Sequence, residues 1–148
     1  VDPWFIVYGA PEESKFIQCA RNINSLKPKW VVNKMLETLK ELKKRNFNKK
    51  SLPKVGFLGA TFKPDIDDLR ESPSLQIIQD FSATYSGEIY LAEPNVQSIS
   101  IDDVIECSTE KIIDECDLVI ILVNHKQFNN IKFKQHNQVL DFVGATND

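Results

Sequence analysis

Apolar positions change their period once along the chain. From Phe16 to Leu42 they recur at three- and four-residue intervals, and after Leu52 they gather into short blocks divided by polar loops. The first pattern is helical. Pro11-Glu12-Glu13 reads as a helix start, because proline suits the first helical position and acids suit the positive end of the dipole. Phe16, Ile17, Ala20 and Ile23 follow on one face. Pro28 is expected to begin a second helix rather than sit inside one, with Val31, Met35, Leu39 and Leu42 on its apolar side and an exit at Arg45-Asn46-Phe47-Asn48. Such stripes point to core or subunit contact rather than to chemistry.

The second pattern alternates strands with helices. Lys54 to Gly59 reads as a short buried strand. A polar loop runs from Thr61 to Glu71, and Ser72 caps the next helix with Pro73 in its first turn. Leu75, Ile78 and Phe81 are expected on that helix's inner face. Glu88 to Glu93 is a second strand stopped by Pro94, and Val104 to Cys107 a short third. Ser108-Thr109-Glu110 opens a helix that runs to Cys116. Leu118 to Val123 is apolar throughout, as a parallel strand covered on both faces must be. Gln138 to Phe142 is the last candidate. The sum predicts an α/β class, a doubly wound parallel sheet from about Leu52, preceded by a helical connector.

Composition narrows the function. Hydrophobic residues are 42% and charged residues 26% of the 148, enough for one domain with a real core. No apolar run approaches the ~20 residues of a membrane helix, and no leader pattern is visible at the start. Eighteen basic against 21 acidic residues give a net charge of −3 and no reason to expect nucleic acid. The basic run from Lys40 to Lys50 reads as a solvated helix end. Cys19, Cys107 and Cys116, an odd number without close spacing, suggest neither disulfides nor a metal site. They are expected to be small buried apolar residues in a reducing cytoplasm. The opening Val1-Asp2-Pro3-Trp4-Phe5-Ile6 starts as if in mid-structure, so a piece of a longer protein is expected.

Open parallel sheets bind ligands beyond the carboxyl ends of their strands. The first such end is Gly59, and the loop after it carries Lys63 and Arg70, both able to meet phosphate. The helix beginning near Pro73 turns its free N–H groups toward that loop. Equally, the two cations could simply balance Asp65, Asp67, Asp68 and Glu71 on a surface loop. Gly56 and Gly59 do not form the G-x-G-x-x-G of a dinucleotide site. Glu93 ends the second strand where a ribose-binding acid would stand, but the glycine loop that would accompany that role is missing.

The run Gly59 to Pro73, with its Phe62-Lys63-Pro64 and Asp67-Asp68-Leu69-Arg70-Glu71-Ser72-Pro73, resembles the C-terminal signature of the UDP-glucose/GDP-mannose dehydrogenase family. Its form is most similar to the UDP-N-acetylmannosamine dehydrogenases of that family. Glu93-Pro94-Asn95, Asn124-His125-Lys126-Gln127-Phe128 and the opening Val1 to Ile6 extend the resemblance over nearly the whole chain.

The resemblance implies a Rossmann-like C-terminal domain, residues 51–148, that binds the UDP part of a UDP-sugar. Residues 1–50 would be the end of the catalytic segment and a helical connector that builds a homodimer. An N-terminal NAD-binding domain and the nucleophilic cysteine would lie before Val1, and none of the three cysteines here takes the nucleophile's place. The implied reaction oxidises a sugar C6 alcohol to a carboxylate with NAD in two steps, through a cysteine thioester, for surface polysaccharide synthesis. Carried onto this chain, Asp2 would be a catalytic acid managing water and protons, Phe62 and Lys63 would contact substrate, and Arg70 would reach the NAD cofactor. Asp2 before Pro3 also suits a plain helix or turn cap. The family's basic residue near the end of the last strand is replaced by Val143. The rival reading is a stand-alone nucleotide-binding or assembly module.

Overall fold

The computed structural model describes residues 3–45 and 51–146. A short helix α1 (Trp4–Gly9) precedes a long helix α2 (Lys15–Arg45). Five strands follow, β1 (Val55–Leu58), β2 (Ile89–Ala92), β3 (Val104–Glu106), β4 (Leu118–Ile121) and β5 (Gln138–Asp141), with helices α3 (Pro73–Ser82) and α4 (Thr109–Glu115) between them. A 3-10 turn at Lys126–Phe128 follows β4. The sheet is parallel throughout, in the order β3-β2-β1-β4-β5, so its winding reverses between β1 and β4.

Side-chain alternation along the strands explains both layers. Val55 and Phe57 of β1, Ile89 and Leu91 of β2, and Leu118 and Ile120 of β4 share one core with Ile77, Ile78 and Phe81 of α3 and Val31, Met35 and Leu39 of α2. Their neighbours Leu58, Tyr90, Ala92, Val119 and Ile121 face the other way, onto Ile112, Cys116 and Phe128. Every residue of β1, β2 and β4 is buried, as the helices on both faces require. The doubly wound α/β class, with a helix before the sheet, is what the periodicity predicts.

Four local expectations need correction, the last being that all three cysteines are buried. Pro28 lies inside α2 rather than at the start of a second helix. Proline in a helix interior costs about 3 kcal/mol. Val31, Val32, Met35, Leu39 and Leu42, buried after it, each stabilise by roughly 1.5–3 kcal/mol. That burial fixes the helix on the sheet, and the residues before Pro28 continue its backbone. Pro11 to Ser14 form a turn, and α2 begins only at Lys15. In α3 the inner face is Ser74, Ile77, Ile78 and Phe81. Leu75 stays only partly buried, because the cap at Ser72 sets the helix rotation and turns it off the sheet. Of the cysteines, Cys116 is buried, Cys107 partly so, and Cys19 is exposed on the half of α2 that has no sheet beneath it.

Gly59 fixes the edge where ligands are expected. Its φ is +86°, and a Cβ there would stand 2.5 Å from the Cβ of Val123. Only glycine allows both the turn and this approach. The chain leaving β1 is therefore pressed against the chain leaving β4.

Candidate functional site

Three loops leave the carboxyl edge of the sheet side by side, after β1, β2 and β4. Four polar side chains among them are buried: Thr61, Ser72, Glu93 and His125. Buried polar groups persist only when hydrogen-bonded, and these bond to one another's loops.

Glu93, just past β2, is the hub. Its Oε2 accepts the backbone N–H of Ala60 at 2.7 Å and of Thr61 at 3.2 Å, and its Oε1 accepts the Asn95 N–H at 3.0 Å. The same Oε2 lies 3.0 Å from Nε2 of His125. Burial pushes the Glu93 pKa up, but the bonds from His125, Ala60 and Asn95 outweigh it and hold the carboxyl below its ordinary range.

His125, fully buried after β4, uses both ring nitrogens. Nδ1 accepts the Asp65 backbone N–H at 2.9 Å and faces the Asn95 amide nitrogen at 2.7 Å. The Asn95 amide oxygen accepts from Gln127 Nε2, which orients its NH2 toward the imidazole. Nδ1 is thus an acceptor, and the proton sits on Nε2, shared between Glu93 and the Thr61 hydroxyl 3.2 Å away. The Thr61 hydroxyl donates its own proton to the Lys63 carbonyl at 3.0 Å.

The loop after β1 bends at Asp65 and Glu71, both with left-handed backbones at φ 60° and 54°. Phe62 N–H donates to the Asp68 carbonyl, and the Ser72 hydroxyl donates to Ala60 O while accepting the Leu75 N–H. Asp65 caps the next loop by accepting the Lys126 N–H at 2.9 Å.

The expected site residues separate on this frame. Phe62 and Lys63 are exposed on the loop, with Lys63 Nζ 5.7 Å from the Phe62 ring. No carboxylate lies within ion-pair distance of Lys63 among the described residues, so the balancing role does not apply to it. It does apply to Arg70. Its exposed guanidinium grips both oxygens of the partly buried Asp68 at 2.9 and 2.8 Å, and the Arg70 side chain holds the Asp68 pKa down at about 2. Asp2 lies outside the described residues. Val143 is exposed, and its N–H joins those of Gly144 and Thr146 on the Asp141 carboxylate.

Glu93 stands at the strand end where the sequence places it, but it holds backbone of its own chain. Asp65, Lys126 and the buried His125 bridge the crevice between β1 and β4, where a dinucleotide would lie in a sheet of this kind. With G-x-G-x-x-G also absent, the residues here do not fit a bound NAD. Sequence reasoning missed the Thr61–Glu93–Asn95–His125 network. Its members were visible only as separate short motifs after β1, β2 and β4.

Residues 56–146 match the UDP-glucose/GDP-mannose dehydrogenase family, UDP binding domain. The UDP-N-acetyl-D-mannosamine dehydrogenase of Campylobacter jejuni is 37% identical over 147 residues, covering 96% of this chain and 33% of that protein. The Escherichia coli K12 enzyme of the same name is 34% identical over 88% of this chain and 32% of its own length. The fold of the whole chain superposes on the UDP-N-acetyl-mannosamine dehydrogenase of Staphylococcus aureus with a TM-score of 0.73 and 28% identity, covering 34% of that chain. This chain therefore spans about a third of the length of the relatives it matches. A profile over most of the chain and relatives above 30% identity agree with the loop signature and the parallel sheet: the chain belongs to the UDP-glucose/GDP-mannose dehydrogenase family.

Proposed function

We propose that this chain is the UDP-sugar-binding third of an NAD-dependent nucleotide-sugar 6-dehydrogenase, with UDP-N-acetylmannosamine as its substrate. Residues 51–148 form the UDP-sugar-binding domain, and residues 1–50 belong to the end of the catalytic segment and the connector. The observation that carries the reading is Lys63. Among the described residues it is a cation without a carboxylate partner, beside an exposed aromatic ring, on a loop anchored at the carboxyl edge of the sheet. A pyrophosphate supplies the missing anion, and Phe62 offers a face to a base or sugar. The Oδ1 of Asn124, three residues beyond β4, is buried without a hydrogen-bond partner among the described residues and adds an acceptor at the same edge.

In the whole enzyme the sugar C6 alcohol is oxidised twice, first to an aldehyde held by a cysteine and then to a thioester that water cleaves. This chain's part is to hold the UDP end while the chemistry proceeds elsewhere. Asp2 takes the role of managing water and protons, and Arg70 reaches NAD held by the other part of the enzyme. The isolated chain is expected to bind UDP yet to produce no NADH from UDP-N-acetylmannosamine or UDP-glucose. Turnover by the chain alone, followed at 340 nm, would overturn this division of labour.

The reading includes a homodimer. Phe5, Ile6, Tyr8, Phe16, Ile23 and Leu26 of α1 and the first half of α2 are exposed. Apolar faces of that extent favour a partner surface. Light scattering is expected to show mass above that of one chain at high concentration, and a clean monomer would count against the dimer.

A further inference from the structure

One imidazole touches the β1 loop on both sides of Lys63. Its Nε2–H reaches Thr61, and its Nδ1 takes the N–H of Asp65. The five residues Thr61 to Asp65 thus form an arch with both feet on His125, and Phe62 and Lys63 are its crown. The Thr61 hydroxyl, held from one side by the imidazole, donates to the Lys63 carbonyl and fixes the crown from within. The left-handed backbone at Asp65 sets the second foot. Among the described residues no other buried side chain hydrogen-bonds to both ends of this segment: Glu93 binds only the first foot, through Ala60 and Thr61, and Lys126 binds only the second, through the Asp65 carboxylate.

We propose that His125 is a positioning residue for nucleoside-diphosphate binding, holding Lys63 in place by pinning both ends of its arch through the two ring nitrogens. The role requires the neutral Nε2–H tautomer, which the Glu93 carboxylate and the Asp65 N–H select together. A long cation on a loose loop loses affinity to the entropy of ordering it, so a pinned arch raises affinity without adding a contact. The proposal rests on the reading of the loop as the UDP site.

Two variants separate the nitrogens. In His125→Asn the amide oxygen can stand near Nδ1 and keep the Asp65 foot. In His125→Gln the amide nitrogen can stand near Nε2, keeping Thr61 and Glu93 and freeing Asp65. UDP is titrated calorimetrically into the whole chain, its Lys63→Ala variant and both His125 variants, and amide exchange is read at Asp65. The expected result for His125→Asn is retained protection at Asp65 but a fall of about tenfold in UDP affinity, because the Thr61 foot loses its imidazole partner. For His125→Gln, Asp65 protection should be lost and affinity should fall about tenfold, the equivalent of ~1.4 kcal/mol. Wild-type affinity in either His125 variant, or an Asp65 amide still protected in His125→Gln, overturns the proposal while leaving the site assignment standing. Wild-type affinity in Lys63→Ala, or no UDP binding by the wild-type chain, overturns the site assignment and the proposal with it.

Discussion

Replacing Lys63 by alanine is expected to weaken UDP binding by about tenfold to a hundredfold. A charge-assisted hydrogen bond contributes roughly 1.5–3 kcal/mol, and ~1.4 kcal/mol is one decade of affinity. No neighbouring carboxylate competes for this cation among the described residues, so its full charge is available to a pyrophosphate. Arg70→Ala should change UDP affinity much less. Arg70 is closed on Asp68, and its side chain is almost wholly in solvent. Exposed pairs of this kind hold weakly, so Arg70 can be released to an anion brought by another part of the enzyme. Titration of UDP into a protein joining this chain to the family's NAD-binding portion repeats the comparison with the anion that Arg70 is expected to meet in place. Equal UDP affinity for wild type and Lys63→Ala in that host would sink the site assignment.

Glu93→Ala is expected to be the most destabilising single change at the sheet edge, by about 3 kcal/mol. The carboxylate serves the buried N–H groups of Ala60 and Thr61 and the Nε2–H of His125, and each buried donor left without an acceptor costs roughly 1–3 kcal/mol. That is a large fraction of the ~5–15 kcal/mol that stabilises a domain. Urea unfolding should show it as a lower midpoint at unchanged slope. A loss below about 1 kcal/mol would mean that water replaces the carboxylate without penalty. The acid limb of stability gives a second reading. The Glu93 pKa is depressed from its ordinary 4.5 in the folded chain. Its contribution is therefore complete above that value and is lost as the pH falls through the lowered one. Glu93→Gln, which cannot titrate, should flatten the fall in stability below pH 4.5, and an unchanged acid limb would rule out Glu93 as its source.

Much of this architecture was legible in the sequence because its causes are local. Continuous apolar blocks at Val55–Leu58 and Leu118–Ile121 can only be strands covered on both sides, and Ser72-Pro73 and Ser108 cap the helices that follow them. The loop signature from Gly59 to Pro73 lies within the stretch that matches the family, and its residues carry the resemblance locally. At Pro28 the sequence misleads for the opposite reason. Local preference favours a helix start there, and the burial that holds the second half of α2 on the sheet is a tertiary term that no window of sequence contains.

The site divides in the same way. The sequence by itself determined which residue types stand on the loop: a phenylalanine, a lysine and an arginine after a glycine that must turn. It could not say which cation is free. That depends on Asp68 folding back onto Arg70 two residues away, and on Asp65 spending its carboxylate on Lys126, 61 positions along the chain. Nor could it join Thr61, Glu93, Asn95 and His125, whose motifs are some 30 residues apart. Only the parallel order β2-β1-β4 sets those three loops side by side. Burial there removes water as an alternative partner, so these groups must satisfy one another.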